Sequence, residues 1–367
     1  MNDFPYMSLN TRYIRYRKSH YSLSNIAIDI PKGATIGIVG ESGSGKSTLG
    51  KILSAAINSD DVQTYGVSEY DCELFIDEPE LKGINIIDAS NRQINAYRKH
   101  VQYIFQNHRA ALNMNDTVYS SLYESYRSGN YEKSLKHFHE LIRESLQKIG
   151  LILHSKNLHS VTENKTAICE EFPFLKHRVK QLSGGQMKRI SILKTFLFHP
   201  DVIVADEPLT GLDASKKGMV LELLRSEKQK RIETGDPLTT IIISHDVGMI
   251  KNNCDIIYVM FGSIRRGYGE IFEVVQNKSS LSDITPFASH PYTAELLEAS
   301  EYFKDDSIVA KTLFTSKEKL PKDQKVCLYF SRCGSLADGA RHECLKPQEL
   351  RNSKIYSANK ISCHKCT

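Results

Sequence analysis

Thr35-Ile36-Gly37-Ile38-Val39, followed by Gly40-Glu41-Ser42-Gly43-Ser44-Gly45-Lys46-Ser47-Thr48, decides how this chain is read. Residues 35–39 are a short apolar run suited to a strand, and from Ser47 to Ile57 the residues Leu49, Ile52 and Leu53 recur at helical spacing. Between strand and helix, residues 40–47 fit the pattern G-x-x-x-x-G-K-[ST]. Glycines in such a loop let backbone N–H groups converge on phosphate oxygens, and the helix amino terminus adds positive partial charge. Lys46 supplies a point charge, and the Ser47 hydroxyl suits Mg²⁺. The expected ligand is a nucleoside triphosphate.

Working outward, Val202-Ile203-Val204-Ala205 reads as a buried strand that ends in Asp206-Glu207, and Pro208 prevents the ladder from continuing. Two carboxylates at a strand tip suit one group for metal and the next for orienting and activating water. Thr239 to Ile243 is a second β-branched run, buried on both faces as in parallel sheets, and His245 stands just past it. Ligands of open α/β sheets collect at this rim. Leu182-Ser183-Gly184-Gly185-Gln186 precedes an amphipathic helix carrying Ile190, Leu193, Phe196 and Leu197, so the Ser183 hydroxyl and the Gly184 and Gly185 amides form a second anion site at a helix amino terminus.

The fold class is α/β, because apolar strands alternate with amphipathic helices. With 367 residues the chain holds more than one small module, and 40% apolar residues with 21 glycines can bury a sizeable core. Lys and Arg exceed Asp and Glu by 48 to 43, a net charge of +5 that does not require nucleic acid or an anionic membrane as partner. Apolar stretches such as Cys254 to Phe261 are too short to span a bilayer, and the amino-terminal MNDFPYMSLN lacks a signal peptide's layout, so a soluble, cytosolic protein is expected. Between Asn107 and Lys180 the pattern turns helical and polar, with His137, Leu141, Ile142, Leu146 and Ile149 on one helix face. This gives a nucleotide-binding α/β domain over 1–285 with an inserted helical subdomain at about 107–185, and a small carboxy-terminal extension over 286–367. Cysteines stand at 72, 169, 254, 327, 333, 344, 363 and 366, five of them in the extension. Dense cysteines in a cytosolic protein point to metal ligation rather than disulfides. Four thiolates suit [4Fe–4S] or tetrahedral zinc, and plain reduced thiols are the third reading.

Taken together, these motifs resemble the ATP-binding subunits of ABC transporters over roughly residues 10 to 275. The resemblance implies that Gly40, Ser42, Gly43, Ser44, Gly45, Lys46, Ser47 and Thr48 hold the phosphates (Walker A), and that Gln106 in Val101-Gln102-Tyr103-Ile104-Phe105-Gln106 is the Q-loop glutamine. Ser183, Gly184, Gly185 and Gln186 form the signature, Asp206 closes Walker B, and Glu207 is the catalytic carboxylate. Asp213 is the D-loop aspartate, and His245 the switch histidine. Ser47, Gln106 and Asp206 would serve Mg²⁺. In the family the signature of one subunit closes over ATP held by another, so the resemblance implies a head-to-tail dimer with a paralogue or a second copy. An aromatic residue that stacks on adenine is expected before Gly40: Tyr16 fits, with Tyr13 and Tyr21 as rivals.

Three features are similar to the oligopeptide and dipeptide importer branch. Ala110-Ala111-Leu112-Asn113 with Thr117-Val118 follows the Q-loop, and Ser289-His290-Pro291-Tyr292-Thr293 resembles the branch's carboxy-terminal segment. Cys327, Cys333, Cys344 and Cys363 resemble its four-cysteine iron–sulfur motif, although Leu328 and Gly334 replace the prolines of that pattern. Met187-Lys188-Arg189 also departs from the Arg-Gln-Arg common after the signature. The resemblance implies an ATPase that powers peptide import through transmembrane permease subunits, peripheral on the cytoplasmic face of the inner membrane. An extracytoplasmic solute-binding protein would be an indirect partner. Import of nickel or another small solute, and a soluble ABC-type ATPase not coupled to transport, are the alternatives.

Overall fold

The computed structural model describes residues 5–16, 22–56, 67–129, 134–151, 164–263, 268–276, 292–293, 296, 351–352 and 360–361. The chain divides into two compact units, one of residues 1–94 with 241–367 and one of residues 95–240.

The first unit opens with β1 (Met7–Tyr16), β2 (Ser22–Ile30), β3 (Thr35–Gly40), α1 (Lys46–Leu53) and β4 (Val67–Ile76). Helix α2 (Asn91–His100) carries the chain into the second unit. There follow β5 (Val101–Ile104), α3 (Val118–Ser128), α4 (Leu135–Lys148), α5 (Lys165–Glu171), α6 (Gly184–Leu197), β6 (Val202–Asp206) and α7 (Ala214–Glu233). Strand β7 (Thr239–Ile243) begins in the second unit and ends in the first, where α8 (Val247–Asn253), β8 (Ile256–Ser263) and β9 (Tyr268–Gln276) complete the core. Two short strands, β10 (Arg351–Asn352) and β11 (Lys360–Ile361), pair with each other, and β11 also pairs with β9.

In the first unit the strands run in the order β4-β1-β2-β9-β8-β3. β1 pairs antiparallel with β2 and β4, and β2 buries Ile26, Ile28 and Ile30 while Ala27 and Asp29 face solvent, the period-two pattern of a half-covered sheet. β3 is different. All six of its residues are buried, and it lies parallel to β8 from Ile36↔Ile256 to Gly40↔Met260. A strand covered on both faces needs a continuous apolar run, which is what Thr35 to Val39 supplies.

The second unit pairs β5 parallel to β6, from Val101↔Val202 to Ile104↔Ala205. β6 is buried throughout, as its apolar run requires. Helix α4 buries Phe138, His139, Ile142, Ser145 and Leu146. The expected face is therefore corrected: His137 and Leu141 stay half-exposed, because the stripe is centred on Phe138, Ile142 and Leu146 at i, i+4 and i+8. His139 is enclosed beside Tyr119, whose hydroxyl lies 3.1 Å from its Nε2. Arg143 grips Glu171 with two nitrogens, at 3.1 and 2.6 Å, tying α4 to α5. Helix α6 is not amphipathic as expected: every residue from Met187 to Leu193 is buried, Lys188 and Arg189 included. Arg189 answers this by donating to the Ile149 and Gly150 carbonyls beyond α4, at 2.6 and 3.0 Å.

Among the described residues no helix is long and apolar enough to cross a membrane.

Candidate nucleotide-binding site

The glycine loop leaves β3 at Gly40, where the backbone (φ 154) passes so close to β8 that a Cβ would collide with the Met260 carbonyl oxygen. Gly43 and Gly45 take left-handed φ of 84° and 95°, which glycine adopts at little cost. Gly45 is the amino-terminal cap of α1, with no side chain capping the helix and no acidic residue in its first turn. The end of the helix therefore carries positive partial charge with no side chain to offset it, which suits an anion. Lys46 is buried and bends back over the loop, donating to the Gly40 and Glu41 carbonyls at 2.8 Å each and lying 3.5 Å from the Ser44 hydroxyl. In this state its charge organises the loop's own carbonyls. Ser42 is exposed and Ser44 buried, while Ser47 and Thr48 are half-buried on the first turn of α1.

Two further pieces of the first unit bond to this loop or to the strand that leads into it. The Ser244 amide donates to the Ile38 carbonyl at 3.0 Å, so His245, exposed, follows directly on a residue bonded to β3 two positions before the loop. The second piece is Tyr292: its hydroxyl accepts from the Glu41 amide at 3.1 Å.

The second unit carries the acidic pair and the signature. Asp206 ends β6 and is 3% exposed, and its Oδ2 accepts from the Tyr103 hydroxyl at 2.8 Å. Glu207 is also buried and has a φ of +50°, a left-handed backbone that costs a side-chain-bearing residue about 1 kcal/mol or more. It is held there from three directions. Its Oε2 accepts from the Thr210 hydroxyl at 2.9 Å, and its carbonyl accepts from the Thr210 amide at 3.3 Å and from Lys188 Nζ at 2.7 Å. The Lys188 ammonium donates as well to the Thr210 carbonyl at 2.7 Å. Burial pushes the Lys188 pKa down to about 8, against the pull of Glu207 and Asp206 in the other direction. The turn ends at Asp213, which caps α7 by accepting from the Lys216 amide at 3.1 Å and pairs with the Lys216 ammonium at 2.7 Å; that side-chain bond lowers its pKa.

Ser183 caps α6. Its hydroxyl accepts from the Gln186 amide at 3.3 Å, and Gln186 Oε1 accepts in return from the Ser183 amide at 2.9 Å, a reciprocal capping box. Gly184 is exposed and has open space where a Cβ would stand, and a Cβ on Gly185 would meet only Leu212. Gln106 is exposed, three residues after Tyr103.

Thus the first unit holds the glycine loop and His245, and the second holds Gln106, Asp206, Glu207, Asp213 and the signature. Tyr16 is the last residue of β1, opposite Val67, and nothing is described of its side chain; Tyr13 is 41% exposed, and Tyr21 lies outside the described residues. Cys327, Cys333, Cys344 and Cys363 also lie outside them. Motif reading missed Lys188, Tyr103 and Thr210 as site residues. No sequence signal marked Lys188: Met187-Lys188-Arg189-Ile190-Ser191-Ile192-Leu193 is not an unbroken apolar run, and its burial is set by what packs around the helix.

A glycine loop closed by a buried lysine, an acid-tipped strand and a capped Ser-Gly-Gly-Gln helix are the working parts of an ATP-hydrolysing cassette. The ABC transporter family profile matches residues 23–210, and the chain belongs to that family. It is 33% identical over 279 residues to the oligopeptide transport ATP-binding protein OppF of Lactococcus lactis, covering 76% of this chain and 72% of that one. It is 28% identical over 321 residues to the dipeptide transport ATP-binding protein DppF of Haemophilus influenzae, covering 87% and 83%. Its fold is similar to the dimeric structure of a bacterial ABC transporter cassette, with a TM-score of 0.55 and 21% identity over 75% of this chain and all of that one.

Proposed function

We propose that this chain is the ATP-hydrolysing subunit that powers import of oligopeptides or dipeptides through a membrane permease. The observation that carries this reading is the similarity to peptide transporters: the dipeptide transport relative matches 87% of the chain, and the oligopeptide transport relative is 33% identical over 76% of it. In this reading residues 1–285 are the ATPase domain, with a helical subdomain at about 107–185 that meets the permease, and 286–367 the extension. The subunit works peripherally at the cytoplasmic face of the membrane, paired head to tail with a paralogue or a second copy.

The chemistry follows from the residues. The loop amides and Lys46 bind the β- and γ-phosphates, and the Ser183-capped end of α6 offers the Gly184 and Gly185 N–H groups to ATP held by the partner. Glu207 orients a water and takes its proton as the oxygen attacks the γ-phosphorus and the bond from that phosphorus to the β,γ-bridging oxygen breaks, releasing ADP and phosphate, with Thr210 holding the carboxylate's other side. His245 stabilises the γ-phosphate charge, and Gln106 senses the occupied site. Ser47 and Asp206 are hard oxygen donors that fit Mg²⁺, which when bound neutralises phosphate charge. Cys327, Cys333, Cys344 and Cys363 are read as ligands of a [4Fe–4S] cluster, or of zinc, on the strength of four thiols within the extension; iron, zinc and sulfide analysis tests that part.

The test is Glu207→Gln in the assembled transporter. Retained ATP binding with loss of turnover and of peptide uptake into vesicles is expected. Unchanged hydrolysis would sink the catalytic assignment, and ATP-driven uptake of another solute with no peptide uptake would sink the cargo.

A further inference from the structure

The Glu41 peptide group is pinned on both sides. Its carbonyl accepts from Lys46 Nζ at 2.8 Å, and its amide donates to the Tyr292 hydroxyl at 3.1 Å. Tyr292 stands 251 residues further along the chain and is 1% exposed. Its ring meets Phe261 edge-on, centroids 4.8 Å apart, and Phe261 follows Met260, whose carbonyl lies against Gly40. The two anchors differ in one respect. Lys46 is a charge that a phosphate draws towards itself, and its three N–H donors must then be shared between the phosphate and the two carbonyls it now holds. Tyr292 is enclosed and uncharged, so a phosphate has no charge there to draw away.

We infer that Tyr292 is a positioning residue of the phosphate loop: it holds the Glu41 amide so that the loop keeps its nucleotide-ready shape when Lys46 turns to the ligand. The segment after the strand core thereby becomes part of the nucleotide site, through a residue that touches no phosphate. Binding to a preformed loop avoids an ordering cost that a slack loop would levy on each ATP. This rests on residues 40–48 being the phosphate site.

The experiment compares full-length wild type, Tyr292→Phe and Lys46→Ala, using a fluorescent ATP analogue with Mg²⁺, steady-state hydrolysis and amide hydrogen exchange. Tyr292→Phe keeps the ring and removes the hydroxyl that accepts from the Glu41 amide. Loss of one such bond is expected to raise Kd and KM about 5–10-fold with kcat within about twofold, and to speed exchange of the Glu41 amide by a similar factor. A merely structural tyrosine would lower Tm without this split between KM and kcat. Lys46→Ala losing nucleotide while Tyr292→Phe binds within twofold of wild type overturns the inference and leaves the site standing. Lys46→Ala binding like wild type overturns the site itself, and the inference with it. Should Tyr292→Phe not fold, wild type decides: a Glu41 amide protected both without and with nucleotide supports the role, and one that exchanges freely without nucleotide refutes it.

Discussion

Lys188→Met keeps the stem of the side chain inside α6 and removes the ammonium that reaches the Glu207 and Thr210 carbonyls, each at 2.7 Å. The Glu207 carbonyl retains the Thr210 amide at 3.3 Å, so the loss falls mainly on the Thr210 carbonyl. An interior acceptor deprived of its donor costs about 1–3 kcal/mol, partly offset because a buried ammonium is no longer kept from water. The net loss is about 1–2 kcal/mol, or roughly 2–8 °C in Tm for a unit of this size. The effect on turnover is larger than this implies. Glu207 sits at φ +50°, and the Lys188 bond is one of the contacts that keep it there. If relaxation of the turn withdraws about 1.4 kcal/mol of catalytic placement, kcat falls about tenfold, while the KM for ATP, set by the loop in the other unit, stays within about threefold. Phosphate-release kinetics and a melting curve on the same preparation measure both. A kcat within twofold of wild type at unchanged Tm would refute the reasoning.

Other expectations concern the same groups. Because the Lys188 pKa is lowered to about 8 from 10.5, the unfolded chain binds the extra proton between those values, so wild type gains stability relative to Lys188→Met as pH rises through that window; the Tm difference between the two should grow from pH 7.5 to 9.5, and a shrinking difference contradicts the assigned direction. Gly40→Ala drives a methyl into the Met260 carbonyl, so it should cost about 2 kcal/mol or more and abolish nucleotide binding, read by calorimetry. Tyr103→Phe removes the donor to Asp206 and should raise the Mg²⁺ concentration for half-maximal hydrolysis about 3–10-fold, with metal-free ATP binding unchanged.

What could be read from the sequence was whatever lies close together along the chain. The strand, glycine loop and helix of residues 35–53 are local, and so is the pairing of an apolar run with Asp206 and Glu207; each carries its physics within about a dozen residues. The Ser183 cap could be anticipated too, since its partner is Gln186. Partners far apart could not. Tyr103 meets Asp206 across 103 residues, and Tyr292 meets Glu41 across 251, so no pattern of spacing announces either. Helix α6 failed for a related reason: amphipathicity was inferred from its apolar residues, but its burial is decided by neighbours on every side, and these find room for Lys188 and Arg189 by offering carbonyls.

The left-handed Glu207 has a consequence for anyone who tries to make this protein sturdier. At φ +50° a glycine or asparagine is more comfortable than a glutamate. A library screened for heat tolerance alone should therefore drift at position 207 toward residues that cannot accept a proton, yielding tougher chains that bind ATP and do nothing with it. With Glu207 as the proposed catalytic carboxylate, selection has to include turnover at every round, because resistance to heat and the ability to hydrolyse then pull this codon in opposite directions.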